Sequence, residues 1–178
     1  VPERFDRIVS VGMFEHVGTP HYREYFDAVR EKLTEDGVAL IHTIGQTGSP
    51  AAINPWMGKY IFPGAYSPAM SEVTRAIDRT ELCICDVEVL RLHYSYTLGA
   101  WHDRFFANVD RVREIYDEQF CRMWRFYLKS MEFSFLKGNL LVHQYQLSRR
   151  MDVVPITREY LNVSQQDSYV TGAANAAE

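Results

Sequence analysis

The sequence predicts an α/β fold in which buried strands and helices alternate along the chain. Two short apolar runs, residues 5–11 and 38–42, are typical of strands covered on both faces, and a helix-like segment lies between them. Polar side chains able to do chemistry follow each run directly. Because ligands of open α/β sheets bind at the carboxyl ends of the strands, we expect a functional site at one edge of the sheet.

The first predicted unit is strand, helix, strand. Thr19 and Pro20 indicate a helix start, with Thr as the cap and Pro at the first helical position. Apolar residues then recur at helical spacing up to Leu33, and Gly37 is predicted to end the helix. Crossovers of this kind are right-handed, so we expect the two strands to be parallel and either adjacent or one apart.

A broken apolar segment follows the second strand. It combines several Gly and Pro residues with aromatic side chains, so it is too apolar for a linker and too interrupted for a long helix. We expect a lid or substrate-channel wall over about 46–66. A helix over about 67–79 and a strand over about 86–93 come next, with Leu90, Leu92 and Tyr94 on one face of that strand.

Two helices and a last strand over 139–149 complete the predicted domain, which we expect to span 1–150. The second helix carries a stripe of aromatic and aliphatic residues that indicates core or a channel wall. Residues 151–178 show little periodicity and are predicted to form a loose tail.

Composition is that of an ordinary globular protein, with 47% hydrophobic and 24% charged residues among 178. That length allows one domain with a real core. No apolar run reaches the roughly 20 residues of a membrane-spanning helix. Three cysteines without a paired framework favour a reducing, cytoplasmic compartment. Cys83 and Cys85 lack a further ligand nearby, so we expect packing and no metal site.

Charge is unevenly distributed. The formal net charge is −4, yet residues 91–150 hold ten Lys and Arg against six Asp and Glu. These basic residues either contact anionic lipid headgroups or form an ordinary solvated helix face, and we expect no nucleic-acid partner. The candidates for headgroup contact are Arg104, Arg111, Arg113, Arg122, Arg125, Lys129 and Lys137.

Four separated motifs, residues 5–18, 42–45, 60–64 and 93–101, resemble the cyclopropane-fatty-acyl-phospholipid synthases and the related mycolic acid cyclopropane synthases. The resemblance covers about 1–150. It implies the carboxyl-terminal part of a class I, Rossmann-like methyltransferase that uses S-adenosylmethionine, with three αβα layers and inserted lid helices. The implied reaction adds a methylene to the double bond of an unsaturated phospholipid acyl chain and forms a cyclopropane fatty acid.

The same resemblance implies a bound bicarbonate as the base. Glu15, His42, the backbone of Ile44, and Tyr94 match the family's bicarbonate ligands, and Glu15, His42 and Tyr94 are therefore the candidate catalytic residues. A tyrosine hydroxyl, an imidazole N–H and a backbone N–H all donate to an anion, whereas the Glu carboxylate accepts a proton or orients the histidine.

Cofactor and substrate contacts are assigned to other residues of these motifs. Gly12, flanked by Val11 and Met13, is expected to bring its backbone close to S-adenosylmethionine. Aromatic faces stabilise a nearby cation, which a methylated alkene would carry. The expected substrate-lining residues are His16, Tyr22, Tyr60, Phe62 and Trp101, and His16 has the alternative role of capping the next helix.

The resemblance also implies a partner segment. The family's Gly-rich turn and acidic residue for the cofactor do not occur here, so we expect an amino-terminal part of the same protein upstream of Val1. Association with phospholipid acyl chains at the inner face of the membrane is expected, and a homodimer is possible. A small-amine N-methyltransferase of the same superfamily and a non-catalytic lipid-binding remnant are the alternatives.

Overall fold

The computed structural model describes residues 3–162, which contain a four-stranded mixed sheet in the order β1-β2-β4-β3. Strands β1 and β2 are parallel, and β4 runs antiparallel to both β2 and β3. Strands β1, β2 and β3 therefore point the same way. The strand bounds are Phe5–Val11 for β1, Leu33–Gln46 for β2, Cys83–Leu90 for β3 and Leu140–Ser148 for β4.

Six α-helices connect these strands. They are α1 (Tyr22–Lys32), α2 (Pro55–Tyr60), α3 (Met70–Ile77), α4 (His93–Ala107), α5 (Val109–Ile115) and α6 (Glu118–Leu136). Short 3-10 turns add Phe14–His16, Thr19–His21 and Arg158–Asn162. Within residues 3–162, no helix is both long enough and apolar enough to cross a membrane.

Two apolar clusters hold the structure together. The first packs α1 and α3 on one face of the sheet, through residues such as Phe26, Ile41 and Ile77. The second joins α2, α4 and α6, with Leu128 and other fully buried side chains at its centre. The site described below lies where the second cluster meets the carboxyl ends of β1 and β2.

The predicted parallel strand pair is confirmed, because β1 and β2 are parallel and adjacent. The predicted helix end at Gly37 is wrong, since α1 ends at Lys32 and β2 begins at Leu33. Gly37 lies inside β2 instead. A Cβ there would be 2.7 Å from Cδ2 of Leu33 and 3.1 Å from the carbonyl oxygen of Phe5. Close strand approach, and not helix termination, is what requires glycine at this position.

The predicted cap at Thr19 also needs correction. Thr19 and Pro20 belong to a 3-10 turn whose N-cap is Gly18, with a φ of 82°, and α1 begins only at Tyr22. Gly18 supplies the left-handed backbone conformation that other residues rarely adopt.

Strand β1 was expected to be covered on both faces, and within the described residues only one face is partly covered, where Ile8 packs against the first core cluster. Val9 is 67% exposed and Val11 is 63% exposed. The first core cluster packs on the Ile8 side of the strand, and β1 is also an edge strand whose partner within residues 3–162 is β2.

The boundary after β3 differs from the prediction in a way that matters for the site. The strand ends at Leu90, and His93 begins α4, so Tyr94 lies in the first turn of a helix and not on a strand. The backbone N–H of Ser95 donates to the Leu92 carbonyl at 3.0 Å and closes that turn. Three helices, not two, lie between β3 and β4.

Part of the segment predicted as a loose tail has local structure. Arg158, in the turn Arg158–Asn162, contacts Asp86 at 2.7 Å, and the Tyr160 hydroxyl donates to Oε1 of Gln146 at 2.9 Å. The rest of the predicted tail, 163–178, lies outside the described residues.

Candidate active site

A cavity of about 600 Å³ opens at the carboxyl edge of β1 and β2. Its walls come from the turn after β1, the end of β2, the lid segment with α2, the start of α4 and the middle of α6. Six predicted site residues line it: Gly12, Glu15, His16, Ile44, Phe62 and Tyr94. The fold thus brings together residues that lie up to 82 positions apart in sequence.

Glu15 is the buried carboxylate of this cavity, with only 7% of its surface exposed. One carboxylate oxygen, Oε1, accepts a hydrogen bond from the Ile44 N–H at 2.6 Å. The other, Oε2, is buried and has no hydrogen-bond partner among residues 3–162. A buried polar atom in this state costs free energy unless a ligand or proton satisfies it, so Oε2 marks a point where a bound group is expected.

The turn that carries Glu15 is anchored by its neighbour. Phe14 is fully buried, stacks on Tyr22 with ring centroids 4.3 Å apart, and contacts the ring of Tyr25. The Glu15 carbonyl also accepts the Tyr66 N–H at 2.8 Å. Apolar packing on one side and backbone hydrogen bonding on the other therefore fix the direction of the carboxylate.

Tyr94 lines the cavity from the first turn of α4. Burial raises the pKa of its hydroxyl, and the nearby charge of Glu15 raises it further. The hydroxyl therefore stays protonated and able to donate a hydrogen bond at neutral pH. Its ring packs against Phe135 and against the edge of Trp101, with centroids 5.0 and 5.9 Å away.

His42 lies near the site without lining the cavity. Its Nδ1 is 3.0 Å from Nε2 of Gln144 on β4. An amide nitrogen only donates, so this contact leaves the ring proton on Nε2. The backbone of His42 has a separate role, because its carbonyl accepts the Gly12 N–H at 3.1 Å and fixes the turn after β1.

Gly12 combines an open face with an unusual backbone. Its φ is +66°, a conformation that L side chains rarely adopt, and a Cβ placed there would meet no atom within 4 Å. The backbone of the turn is therefore open toward the cavity. Its neighbours Val11 and Met13 are 63% and 51% exposed and do not line the cavity.

Three predicted substrate-lining residues lie elsewhere. Tyr22 is 97% buried beneath Phe14, and burial raises the pKa of its hydroxyl. Tyr60 is half-exposed beside Trp56, and Trp101 does not line the cavity but contacts the ring of Tyr94. Aromatic type alone did not distinguish core, surface and wall positions, because tertiary packing decides among them.

Sequence reasoning missed Gln46, the last residue of β2. Its Nε2 donates to the carbonyls of Ala51 and Ser67, each at 3.0 Å, and its Oε1 accepts from Nδ2 of Asn139 at 3.2 Å. Both ends of the lid segment are thereby attached to the sheet. A polar residue at the end of an apolar strand, directly before the Gly-rich and Pro-rich segment, is the signal that was available.

The lid segment itself forms one wall of the cavity. Asn54 caps α2 by accepting the Trp56 N–H at 2.9 Å, and Met57 anchors the helix in the second core cluster. Trp56 meets Phe126 of α6 edge to face, with centroids 4.7 Å apart, and both line the cavity. Among residues 3–162, no cluster of His, Cys, Asp and Glu is arranged to hold a metal ion.

Comparison with known proteins places this chain in a family. The family model described as mycolic acid cyclopropane synthetase matches residues 1–145. The chain belongs to this family. It is 35% identical over 150 residues to the cyclopropane-fatty-acyl-phospholipid synthase of Escherichia coli K12, covering 84% of this chain and 39% of that protein. It is also 35% identical to a probable fatty acid methyltransferase of Pseudomonas putida, over 79% of this chain and 37% of that protein.

Solved structures of the family share the fold. The cyclopropane synthase MmaA2 of Mycobacterium tuberculosis aligns with a TM-score of 0.76 and 27% identity, over 83% of this chain and 56% of that one. The mycolic acid cyclopropane synthase CmaA1, complexed with SAH and CTAB, aligns with a TM-score of 0.74 and 26% identity, over the same shares of the two chains. The predicted α/β methyltransferase fold is confirmed, and the chain spans well under half the length of the curated relatives named above.

Proposed function

We propose that this chain forms the carboxyl-terminal, substrate-binding part of an S-adenosylmethionine-dependent methyltransferase acting on unsaturated phospholipid acyl chains. The product proposed is a cyclopropane fatty acid. Residues 1–150 would belong to the methyltransferase domain, and a segment upstream would complete the cofactor site. The protein would act in the cytoplasm, at the inner face of the membrane.

The observation that carries this proposal is the combination of an apolar cavity with one buried, half-satisfied carboxylate. Ile53, Met57, Phe62 and Leu140 are among the apolar lining residues, and Glu15 is the ionisable group buried among them. An acyl chain suits such walls, because burial of each CH₂ group contributes about 0.8 kcal/mol. A small amine would leave most of these apolar walls without contact, so the cavity favours a lipid substrate.

The residues present fit a bound S-adenosylmethionine at the turn after β1. The open backbone of Gly12, held by the His42 carbonyl, lets a ligand approach without a side chain in the way. Val11 and Met13 flank this opening with exposed side chains, which suits contact with the cofactor. When bound, the cofactor supplies an electrophilic methyl group on a sulfonium.

The chain's own residues serve the reaction in three ways. The cavity aligns the double bond and excludes water, which is mainly an effect of orientation and entropy. Transfer of the sulfonium methyl group to one alkene carbon would leave the neighbouring carbon as a cation, with S-adenosylhomocysteine as the leaving group. The ring of Tyr94, on the cavity wall, stabilises such a cation by roughly 0.5 to 2 kcal/mol. Loss of a proton from the added methyl group then closes the ring.

Bicarbonate is the proposed base, and the site fits it in part. Oε2 of Glu15 is free to share a proton with it, and the Tyr94 hydroxyl is a donor that stays protonated. The Ile44 N–H already donates to Glu15, so a bicarbonate held there would share or replace that hydrogen bond. The His42 ring is held by Gln144. We propose that His42 contributes either by turning this ring toward the site or through its backbone carbonyl, which fixes the turn at Gly12.

The first test is the product. The chain, extended by its upstream segment, is incubated with S-adenosylmethionine and vesicles of an unsaturated phospholipid, and the acyl chains are analysed by mass spectrometry and proton NMR. We expect the mass gain of a CH₂ group and cyclopropyl protons. Methylation of a small amine instead would favour the N-methyltransferase, and lipid binding without any product would favour the lipid-binding remnant.

Tyr94→Phe tests the bicarbonate part separately. The substitution removes the hydroxyl and keeps the ring, so we expect lost activity that added bicarbonate partly restores. A nearly unchanged rate would show that the ring alone matters. A lower melting temperature without bicarbonate rescue would remove Tyr94 from the site.

A further inference from the structure

We infer that the outer face of α6 docks on a bilayer that contains anionic phospholipids, an inference that rests on the proposed function. The outer face is defined by two sets of exposed residues. The basic set is Arg122, Arg125, Lys129 and Lys137. The apolar set is Phe126, Phe133 and Leu136, whose exposed fractions are 56%, 65% and 41%.

These two sets lie on one side of the helix. At 100° per residue they fall within an arc of about 120°. The opposite side carries Cys121, Tyr127, Leu128 and Phe135, which are buried in the molecule. Helix α6 therefore differs from an ordinary amphipathic helix, because its solvent-exposed side carries large apolar side chains among positive charges. That combination is typical of helices that lie in a membrane interface.

The charge of this face complements anionic headgroups. The whole chain has a formal net charge of −4, so a general attraction to anionic lipid is not expected and a local basic surface is required. Glu132 offsets Lys129 at 2.7 Å, and Glu118, at the start of the same face, is paired with Arg113 at 2.7 Å. Arg122, Arg125 and Lys137 remain in positive excess.

Position links this face to the cavity. Phe126 belongs to both, since it is exposed and also lines the cavity opposite Trp56. Next to Trp56, α2 adds the exposed pair Lys59 and Tyr60, with the ammonium of Lys59 4.9 Å from the ring centroid of Tyr60. A bilayer in contact with the outer face of α6 would therefore meet the cavity wall, and an acyl chain could enter without crossing water.

The test uses the protein with its upstream segment and needs no turnover. Partitioning is measured by co-sedimentation with vesicles of phosphatidylcholine alone and with vesicles of equal parts phosphatidylcholine and phosphatidylglycerol. We expect binding to the anionic vesicles that weakens as salt is raised. Arg122→Gln combined with Arg125→Gln should lower the partition coefficient about 30-fold, since each basic residue near such a surface is worth roughly fivefold.

A matched pair, Arg75→Gln with Arg79→Gln, removes the same charge in and just after α3, where the first core cluster lies. It should leave vesicle binding unchanged. Phe133→Ser combined with Leu136→Ser should lower binding about tenfold while melting temperatures stay equal, because both side chains are exposed.

Equal loss in both arginine pairs, or equal binding to neutral and anionic vesicles, would overturn the inference. So would self-association of the chain that Phe133→Ser abolishes, because a second copy would then be the occupant. The outcome is separable from the proposed function. Methylation of detergent-dispersed lipid without vesicle binding refutes only the docking, and vesicle binding without methylation by the extended protein refutes only the function.

Discussion

Glu15 has two carboxylate oxygens in different states, and this difference determines what the residue can do. One oxygen accepts the Ile44 N–H, and the other is buried without a partner in the part of the chain that the structure describes. The first holds the carboxylate in place while the second is free for chemistry. Precise placement of an unsatisfied group is a common arrangement in active sites, where binding or proton transfer compensates its cost.

Glu15→Gln should therefore reduce turnover while leaving cofactor affinity nearly unchanged. The amide oxygen can still accept the Ile44 N–H, whereas the group at Oε2 can no longer accept a proton. We expect a loss of roughly 2.7 to 4 kcal/mol in the barrier. His42→Ala should cost less, since its ring contacts Gln144 and does not line the cavity. Rates and S-adenosylmethionine dissociation constants of the extended protein test both, and equal losses in the two variants would contradict these roles.

His143 makes stability depend on pH. It is 1% exposed, and burial lowers the pKa of its imidazole from 6.5 to about 4. A base whose pKa is lowered by folding contributes full stability above 6.5 and loses it as pH falls toward 4. We expect the free energy of unfolding to fall in that window, by at most about 1.4 kcal/mol per pH unit from this group. His143→Gln should flatten the dependence, and His21→Gln, at an exposed histidine, should not.

At the residue scale, the sequence motifs predicted only part of the set of side chains that line the cavity, and not the contacts that hold them. Glu15, Ile44 and Tyr94 do come together. The pairing of His42 with Gln144 depends on β4 lying beside β2, a contact between residues 102 positions apart that no local pattern contains. Tyr22 is buried for the same kind of reason, because the packing of Phe14 over it is decided by tertiary structure.

At the scale of elements, Gln46 links three parts of the fold. Its side chain joins β2 to both ends of the lid segment and to the start of β4. The lid segment provides much of the cavity wall, including Trp56, Met57 and Phe62. The shape of the cavity therefore depends on one buried amide that makes three hydrogen bonds.

Gln46→Glu keeps the size of the side chain and removes both amide donors to the carbonyls of Ala51 and Ser67. Two lost hydrogen bonds are worth about 2 kcal/mol. We expect faster tryptic cleavage at Lys59 in the lid and a KM for lipid that rises more than kcat falls. Gln119→Glu, the same change at an exposed position on α6, should leave cleavage at Lys59 unchanged. Unchanged cleavage at Lys59 would show that the lid is held by other contacts.

Most element types were predictable here, and several boundaries were not. Both sides of the β3–α4 junction are apolar and aromatic, so the alternation that indicates a strand continues through Leu92 and Tyr94 although the chain is already turning into α4. The start of β2 was hidden in the same way, because Leu33 also fits the apolar spacing of α1. Hydrogen bonding to a neighbouring strand, which sequence does not show, decides each case.

At the scale of the whole molecule, the two edge strands of the sheet differ in how far they are covered. Strand β3 lies at one edge, where Arg158 of the turn after β4 covers part of it through Asp86 and Glu88. Strand β1 lies at the other edge, with Val9 and Val11 exposed beside the open backbone of Gly12. An apolar edge strand is suited to pairing with further strands, which agrees with the greater length of the relatives.

This asymmetry leads to a prediction for the chain on its own. If an upstream segment pairs with β1 and holds the methionine and ribose parts of the cofactor, the 178-residue chain should bind S-adenosylmethionine weakly or not at all by titration calorimetry. The turn at Gly12 would remain, but a single backbone contact gives little affinity without the groups that bind the methionine and ribose parts of the cofactor. The same chain extended upstream should bind S-adenosylmethionine well. Gly12→Val should abolish this gain in affinity, because the turn would hold the valine at a strained φ of +66°. A micromolar dissociation constant for the chain alone would mean that the described residues already hold the cofactor, and that the exposed face of β1 has another purpose.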